Sequence, residues 1–268
     1  MQLASEYRAL RASLQRVEDD GAAFAAEAYD PAAVGRARAV WTTRTQNEYR
    51  STFVFSALAS QVLAAGASLE ASAVTLRMAQ DELVHAERCA DVSVALGASR
   101  PELPGAGGPS GIATHAKVSR EECALRNVVY TTCITEMAAV AYLTLSLERA
   151  RDRYLRSAIR ALLADETLHG RFGFLYLEGW DAWLRARPEV RASLTRYLRF
   201  AFAVAERELS HSPKAPAART DDDDALGYVD PGEMGEIYRN TMEHAVAPGL
   251  ERFGLDARAA YRTRTFAP

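Results

Sequence analysis

The chain has 268 residues, of which 49% are hydrophobic and 25% charged, with a formal net charge of −3. That length supports one large domain or two small ones, with an ample core either way, and the composition argues against disorder along most of the chain. The near balance of 32 basic against 35 acidic residues leaves no electrostatic footprint for nucleic acid or an anionic membrane surface. The opening residues carry Glu6, Arg8 and Arg11 and no apolar core of a signal peptide. The stretch Phe53–Ala67, read as the most apolar, is interrupted by Ser56, Ser60 and Gln61 and is too short to span a bilayer. Cys89, Cys123 and Cys133 form neither an even set nor a CxxC pair, so a reducing cytoplasm is the expected compartment.

Apolar residues recur at three and four rather than at two, without β-branched alternating runs, so the chain is expected to be all-α. In chain order, an N-terminal helix is expected over about 4–28. A long helix follows over about 34–63, ending at Gly66, and a second runs over about 68–96, ahead of the Pro/Gly-rich connection 100–111. Ser119-Arg120-Glu121-Glu122 reads as a capping box that opens a third helix, which reaches about Ala150. Arg151-Asp152 offers a turn and a new cap for a fourth, running to about Trp183. Weaker helices are expected over about 188–209 and 231–253. Between them lie Pro213, Pro216 and the run Asp221–Asp224, which lacks the spacing of a calcium loop and reads as a solvated loop.

Two segments share one pattern, Asp81-Glu82-Leu83-Val84-His85 and Asp165-Glu166-Thr167-Leu168-His169. Both are D-E-x-x-H and both fall in mid-helix. Glu and His at i and i+3 project from one helix face, so each pair can reach one metal ion. A dinuclear site needs one further carboxylate from each of two other helices, and the turns say where to look. In an antiparallel pair, residues at one level lie equally far from the turn. Glu48 and Glu82 have their midpoint at Ala65, and Glu136 and Glu166 have theirs at Arg151. Glu70, Glu121 and Glu122 lie at helix starts, at the wrong level. Glu48 and Glu136 precede apolar stretches, and burying such acids without compensation would cost several kcal/mol, of order 5, which metal ions remove.

The set resembles the ferritin-like diiron-carboxylate superfamily, which includes bacterial multicomponent monooxygenase hydroxylases, ribonucleotide reductase small subunits, acyl-carrier-protein desaturases and aminobenzoate N-oxygenases. The resemblance covers about residues 36–182. It implies a four-helix bundle in a single domain over 1–268, with residues 1–35 as an N-terminal flank and 183–268 as helices packed on the core. It also implies that Glu48, Glu82 and His85 serve one iron and Glu136, Glu166 and His169 the other, with one or two carboxylates bridging. Asp81 and Asp165 match the aspartates that hydrogen-bond ligand histidines in the monooxygenases. Four carboxylates and two imidazoles suit iron, and manganese fits the same donors. A radical tyrosine is replaced here by Cys89, with Gly173 at the equivalent place in the second motif, and the extra histidine of the N-oxygenases by Leu162.

Around these positions, Trp41, Arg44, Thr45, Thr52 and Phe55 share the face of Glu48, and Thr132, Cys133 and Val140 that of Glu136. With Cys89 they are read as a mainly apolar substrate pocket. Arg44, one turn from Glu48, needs an anionic partner if buried. His115, His211 and His244 are read as surface or structural. The resemblance implies an enzyme that activates O2 on a small organic molecule by hydroxylation, N-oxygenation or desaturation. Electrons would come from a ferredoxin or flavin reductase, and the chain would be a monomer or homodimer. The alternatives are a ferroxidase, storage or peroxidase-type protein, and a metal-free scaffold.

Overall fold

The structure is a computed structural model and describes residues 2–14, 21–103, 112–210 and 219–266. Among these residues it is all-α, with no strand. After α1 (Gln2–Leu14) come two long helices, α2 (Pro31–Ala64) and α3 (Leu69–Ala95). Asp30 caps α2 by accepting from the Ala32 and Ala33 amides, with Pro31 in the first turn where its missing N–H costs nothing. Gly66 closes the connection to α3 at a φ of +73°. Its left-handed conformation returns the Gly66 and Ala67 amides to the Leu63 and Val62 carbonyls. Ser68 then caps α3 by accepting from the Ala71 amide.

Ser119 accepts from the Glu122 amide and opens α4 (Arg120–Arg149). Only that half of the expected capping box forms, because the Glu122 carboxylate turns to Arg126 and Ser193 instead. The middle of α4, Val129–Glu136, is wound as a π-helix, which the sequence does not suggest. Asp152 caps α5 (Arg153–Arg185) by accepting from the Leu155 amide. α2 packs on α3, α3 on α5, and α4 on both α2 and α5. One core takes in the π-stretch, with Phe55, Leu58, Leu125 and Ile134, and a second gathers Trp41, Leu155, Ile159 and Leu162. By length and composition α4, rather than 53–67, is the helix apolar enough to cross a membrane, and half of its apolar window is buried inside the molecule.

The ends depart further from expectation. α1 ends at Leu14 and the chain from Gly21, itself at a φ of +68°, to Ala25 is irregular, so no single helix reaches residue 28. Residues 104–111 of the connection, His211, Pro213 and Pro216 lie outside the described residues. α6 (Pro188–Ser210) is followed by α7 (Asp221–Ala225), a short helix formed by the acidic run in place of the expected solvated loop. Thr220 caps it, and Asp223 is fully buried, taking two hydrogen bonds of 2.7 Å from Arg36. α8 (Pro231–Thr241) runs through a second π-stretch, Met242–Val246, into α9 (Ala247–Glu251), and α10 (Ala257–Arg262) adds a helix beyond those expected.

These terminal elements are pinned by ion pairs whose acids sit below their ordinary values. Glu233 is lowered to about 2, first by its hydrogen bonds from Arg149. Burial opposes ionisation of Asp223, but Arg36 and then Thr220 hold it down. Such acids stabilise the fold fully above their unfolded values, about 4, and lose that contribution as pH falls through the folded ones. The gap in urea midpoint between the native chain and Asp223→Asn/Glu233→Gln is therefore expected to be widest near neutral pH and to close between about pH 4 and pH 2. A gap of constant width down to pH 2 would show that these pairs do not hold the ends.

Candidate metal centre

All six acids and histidines singled out by spacing come together at one level of the molecule. Glu48 comes from α2, Glu82 and His85 from α3, Glu136 from the last π-residue of α4, and Glu166 and His169 from α5. They form two groups, Glu48–Glu82–His85–Glu166 and Glu82–Glu136–Glu166–His169, each with its donor atoms within 4.8 Å of one another. Glu82 and Glu166 belong to both. All are buried except Glu48, which is half-buried.

The shared carboxylates divide their oxygens between the two imidazoles. Glu166 Oε1 lies 3.3 Å from His85 Nδ1 and its Oε2 3.3 Å from His169 Nδ1. Glu82 Oε1 lies 3.2 Å from His169 Nδ1 and its Oε2 3.9 Å from His85 Nδ1. Glu48 Oε2 is 3.7 Å from His85 Nδ1. Yet both Nδ1 atoms, Glu82 Oε1 and Glu166 Oε2 are buried without a hydrogen bond. An unsatisfied buried polar atom costs about 1–3 kcal/mol, and four of them on one centre need an explanation. Each lies within 4.8 Å of the other donors of its group, and a cation held among them would satisfy them together. The buried Glu/His groups could therefore hold metal.

Protonation tells the same story in electrostatic terms. Burial, then the charge of Glu166, pushes Glu82 up to about 8. The same two causes hold Glu136 well above the carboxylate range. Burial works against ionised Glu166, but the neighbouring Glu136 carboxyl and the His169 and His85 rings facing it hold it well below. Both histidines are pushed well above their ordinary value despite burial, His85 by Asp165, Glu166 and Glu48 and His169 by Asp81, Glu166 and Glu82. Without metal the cluster thus keeps protons among its acids to limit repulsion, and a cation entering it displaces them.

Each histidine turns its outer nitrogen to an aspartate of the other motif. His85 Nε2 lies 3.3 Å from Asp165 Oδ2, and His169 Nε2 lies 3.4 Å from Asp81 Oδ2. The two D-E-x-x-H segments are thereby cross-linked, and each aspartate fixes a ring so that Nδ1 faces the centre. Arg77, absent from the residues singled out in the sequence, donates to Asp81 Oδ1 at 2.6 Å and to the Leu14 carbonyl at 2.8 Å. Its signal is the i, i+4 spacing to Asp81. Asp81→Asn/Asp165→Asn is expected to fold but to lose about 10- to 100-fold in metal affinity. Glu87→Ala, which removes a 3.2 Å pair with Arg11, is the control. Equal metal retention in the double variant and the native chain would leave these aspartates without an orienting role.

The residues read as a pocket scatter around this centre. Phe55 is fully buried, with its ring centroid 5.4 Å from that of His169. Thr52 donates to the Glu48 carbonyl at 3.5 Å, and Thr45 to that of Trp41 at 2.9 Å. Cys89 is fully buried, its thiol pushed up by burial and then by Glu48. Thr132 donates within its own helix to Val128, and with Cys133 it packs against Gly173 of α5. Val140 is half-buried. All three cysteines are free. His115 is structural, bonded to Asn127 at 3.1 Å, and His244 is exposed. No protein-family model, curated protein or solved structure matches the chain.

Proposed function

We propose that the chain is a ferritin-like diiron-carboxylate enzyme that activates O2 to oxidise a small organic molecule. The observation that carries this reading is the pair of Glu/His groups that share Glu82 and Glu166 and aim unbonded Nδ1 atoms inward. Glu48, Glu82, His85 and Glu166 would hold one ion and Glu82, Glu136, Glu166 and His169 the other, with Glu82 and Glu166 common to both groups. Hard carboxylate oxygens with two imidazoles favour iron or manganese over thiophilic metals, and four carboxylates neutralise two divalent ions. When bound, the metal pair would supply two-electron redox chemistry toward O2. The protein's part is positional. Asp81 and Asp165 hold the imidazole tautomers, Phe55 packs beside the His169 ring, and the surrounding helices keep the donors rigid. A ferredoxin- or flavin-type donor would return electrons after each turnover.

The test is reaction with oxygen. The anaerobically loaded ferrous protein is expected to consume O2 faster than free Fe(II), with a transient absorption band in the near-visible, as a monomer or dimer in gel filtration. A hollow cage that accumulates many irons per chain would favour storage. A loaded, cage-free protein inert to O2 with and without a reductant would overturn the oxygenase reading.

A further inference from the structure

Several partly buried arginines of this molecule are paired with acids, and Arg44 is not. Arg36 pairs with Asp223, Arg77 with Asp81, Arg126 with Glu122 and Arg149 with Glu233. Arg44 is only partly exposed, yet among the described residues no carboxylate lies within 4.0 Å of it and no hydrogen bond uses its donors. Its guanidinium lies instead 4.7 Å from the centroid of the Tyr142 ring and 5.6 Å from that of Trp41. These two faces hold the planar cation by its π-surface and leave its N–H edge unclaimed. Arg44 lines a narrow cleft whose other walls include Trp41, Tyr142, Ser146, Ile159, Gly227 and Tyr228.

Arg44 stands one turn, about 6 Å, before Glu48 on the same side of α2. Burial opposes its charge, while Tyr142, Glu48, Cys89 and Glu166 favour it. Two of these four are acids of the metal centre. Once two divalent ions neutralise the four carboxylates there, the charge of Arg44 has no remaining counterpart nearby. A free guanidinium edge between aromatic walls then matches one chemistry, a planar anion that accepts two parallel N–H bonds. We propose that Arg44 is the anchor for the carboxylate of the substrate, so that the substrate class is a small carboxylic acid held by its acid end one turn from the metals. This rests on the proposed metal centre and names the substrate class of that site.

Calorimetry on the full chain, metal-free and loaded with two ferrous ions under anaerobic conditions, tests it with acetate and benzoate against acetamide and benzamide. Loaded protein is expected to bind each acid about tenfold or more tightly than its amide, and metal-free protein to show a smaller preference. Arg44→Gln should lose the preference while retaining both metals, and Arg44→Lys, which keeps the charge without the fork, should keep a reduced one. Equal binding of acid and amide by loaded native protein would overturn the proposal and leave the metal centre standing. So would an Arg44→Gln chain that sheds its metals, because Arg44 would then be a prop of the centre. A native chain that takes up no metal, read by elemental analysis before any probe is added, would overturn the reading beneath it.

Discussion

Alanine in place of Glu82 or Glu166 is expected to strip both metal ions from the chain, whereas alanine at Glu48 or Glu136 should strip one. The difference follows from how the oxygens are divided. Glu166 places one oxygen 3.3 Å from each histidine Nδ1, and Glu82 likewise faces both rings. Deleting either takes a donor from each group of four at once and leaves three carboxylates against two divalent ions. Deleting Glu48 or Glu136 leaves the other group complete. Folding should survive all four changes, since each removes a wholly or partly buried carboxylate that is costly without metal. Metal content per chain after desalting, alongside circular dichroism, separates the outcomes. A Glu82→Ala chain that keeps one tightly held ion would mean that the two groups do not share this acid.

Gly173→Ala is expected to be far more damaging than its size suggests. A Cβ at this position of α5 would lie 2.2 Å from Thr132 Oγ1, 2.4 Å from Cys133 Sγ and 3.1 Å from the Cys133 amide nitrogen. One turn earlier, a Cβ on Gly170 would lie 2.9 Å from Met137 Sδ. Gly173 therefore faces the π-stretch of α4 that ends at Glu136 and Gly170 the residue just after it, and their bare backbones let the two helices approach. Gly in a helix costs about 1 kcal/mol relative to Ala, so two in one stretch of α5 imply a packing reason. Overpacking of a filled core costs about 1–3 kcal/mol, and backbone on the receiving side puts this case at the upper end. The alanine's helix propensity cannot offset that. Gly179, where an added methyl would meet nothing within 4 Å, is the internal control, and Gly179→Ala should raise stability by up to about 1 kcal/mol. Thermal unfolding of both variants, with metal content measured on each, checks the claim. A Gly173→Ala chain as stable as Gly179→Ala and equally loaded with metal would remove the π-stretch from the positioning of Glu136.

Much of the centre was legible because it is built from local rules. Gly66 and Asp152 mark turns by conformation and capping, and once the turns are known the level of Glu48 against Glu82, and of Glu136 against Glu166, follows from helix rise alone. The i, i+3 pairs needed nothing more. What sequence could not supply was long-range. Asp81 serves the histidine of the other motif, 88 residues away, and the pentad by itself carries no sign of that crossing. Asp223 looks like one of four solvated acids, and only Arg36, 187 residues upstream, explains why it is buried. The π-stretch is equally silent, since a single extra residue in a helical turn leaves the apolar period almost intact over so short a span. The overlong N-terminal helix has a local cause, namely that a run of alanines outweighs Gly21 in the patterning of residues 21–28.

Elemental analysis of the purified, metal-replete native chain tests the central claim most directly. Close to two iron or manganese ions per chain, retained through desalting, is the expected result. A single zinc, or no metal after anaerobic reconstitution, would contradict it and leave Glu82, Glu166, His85 and His169 as a buried polar cluster without a cation.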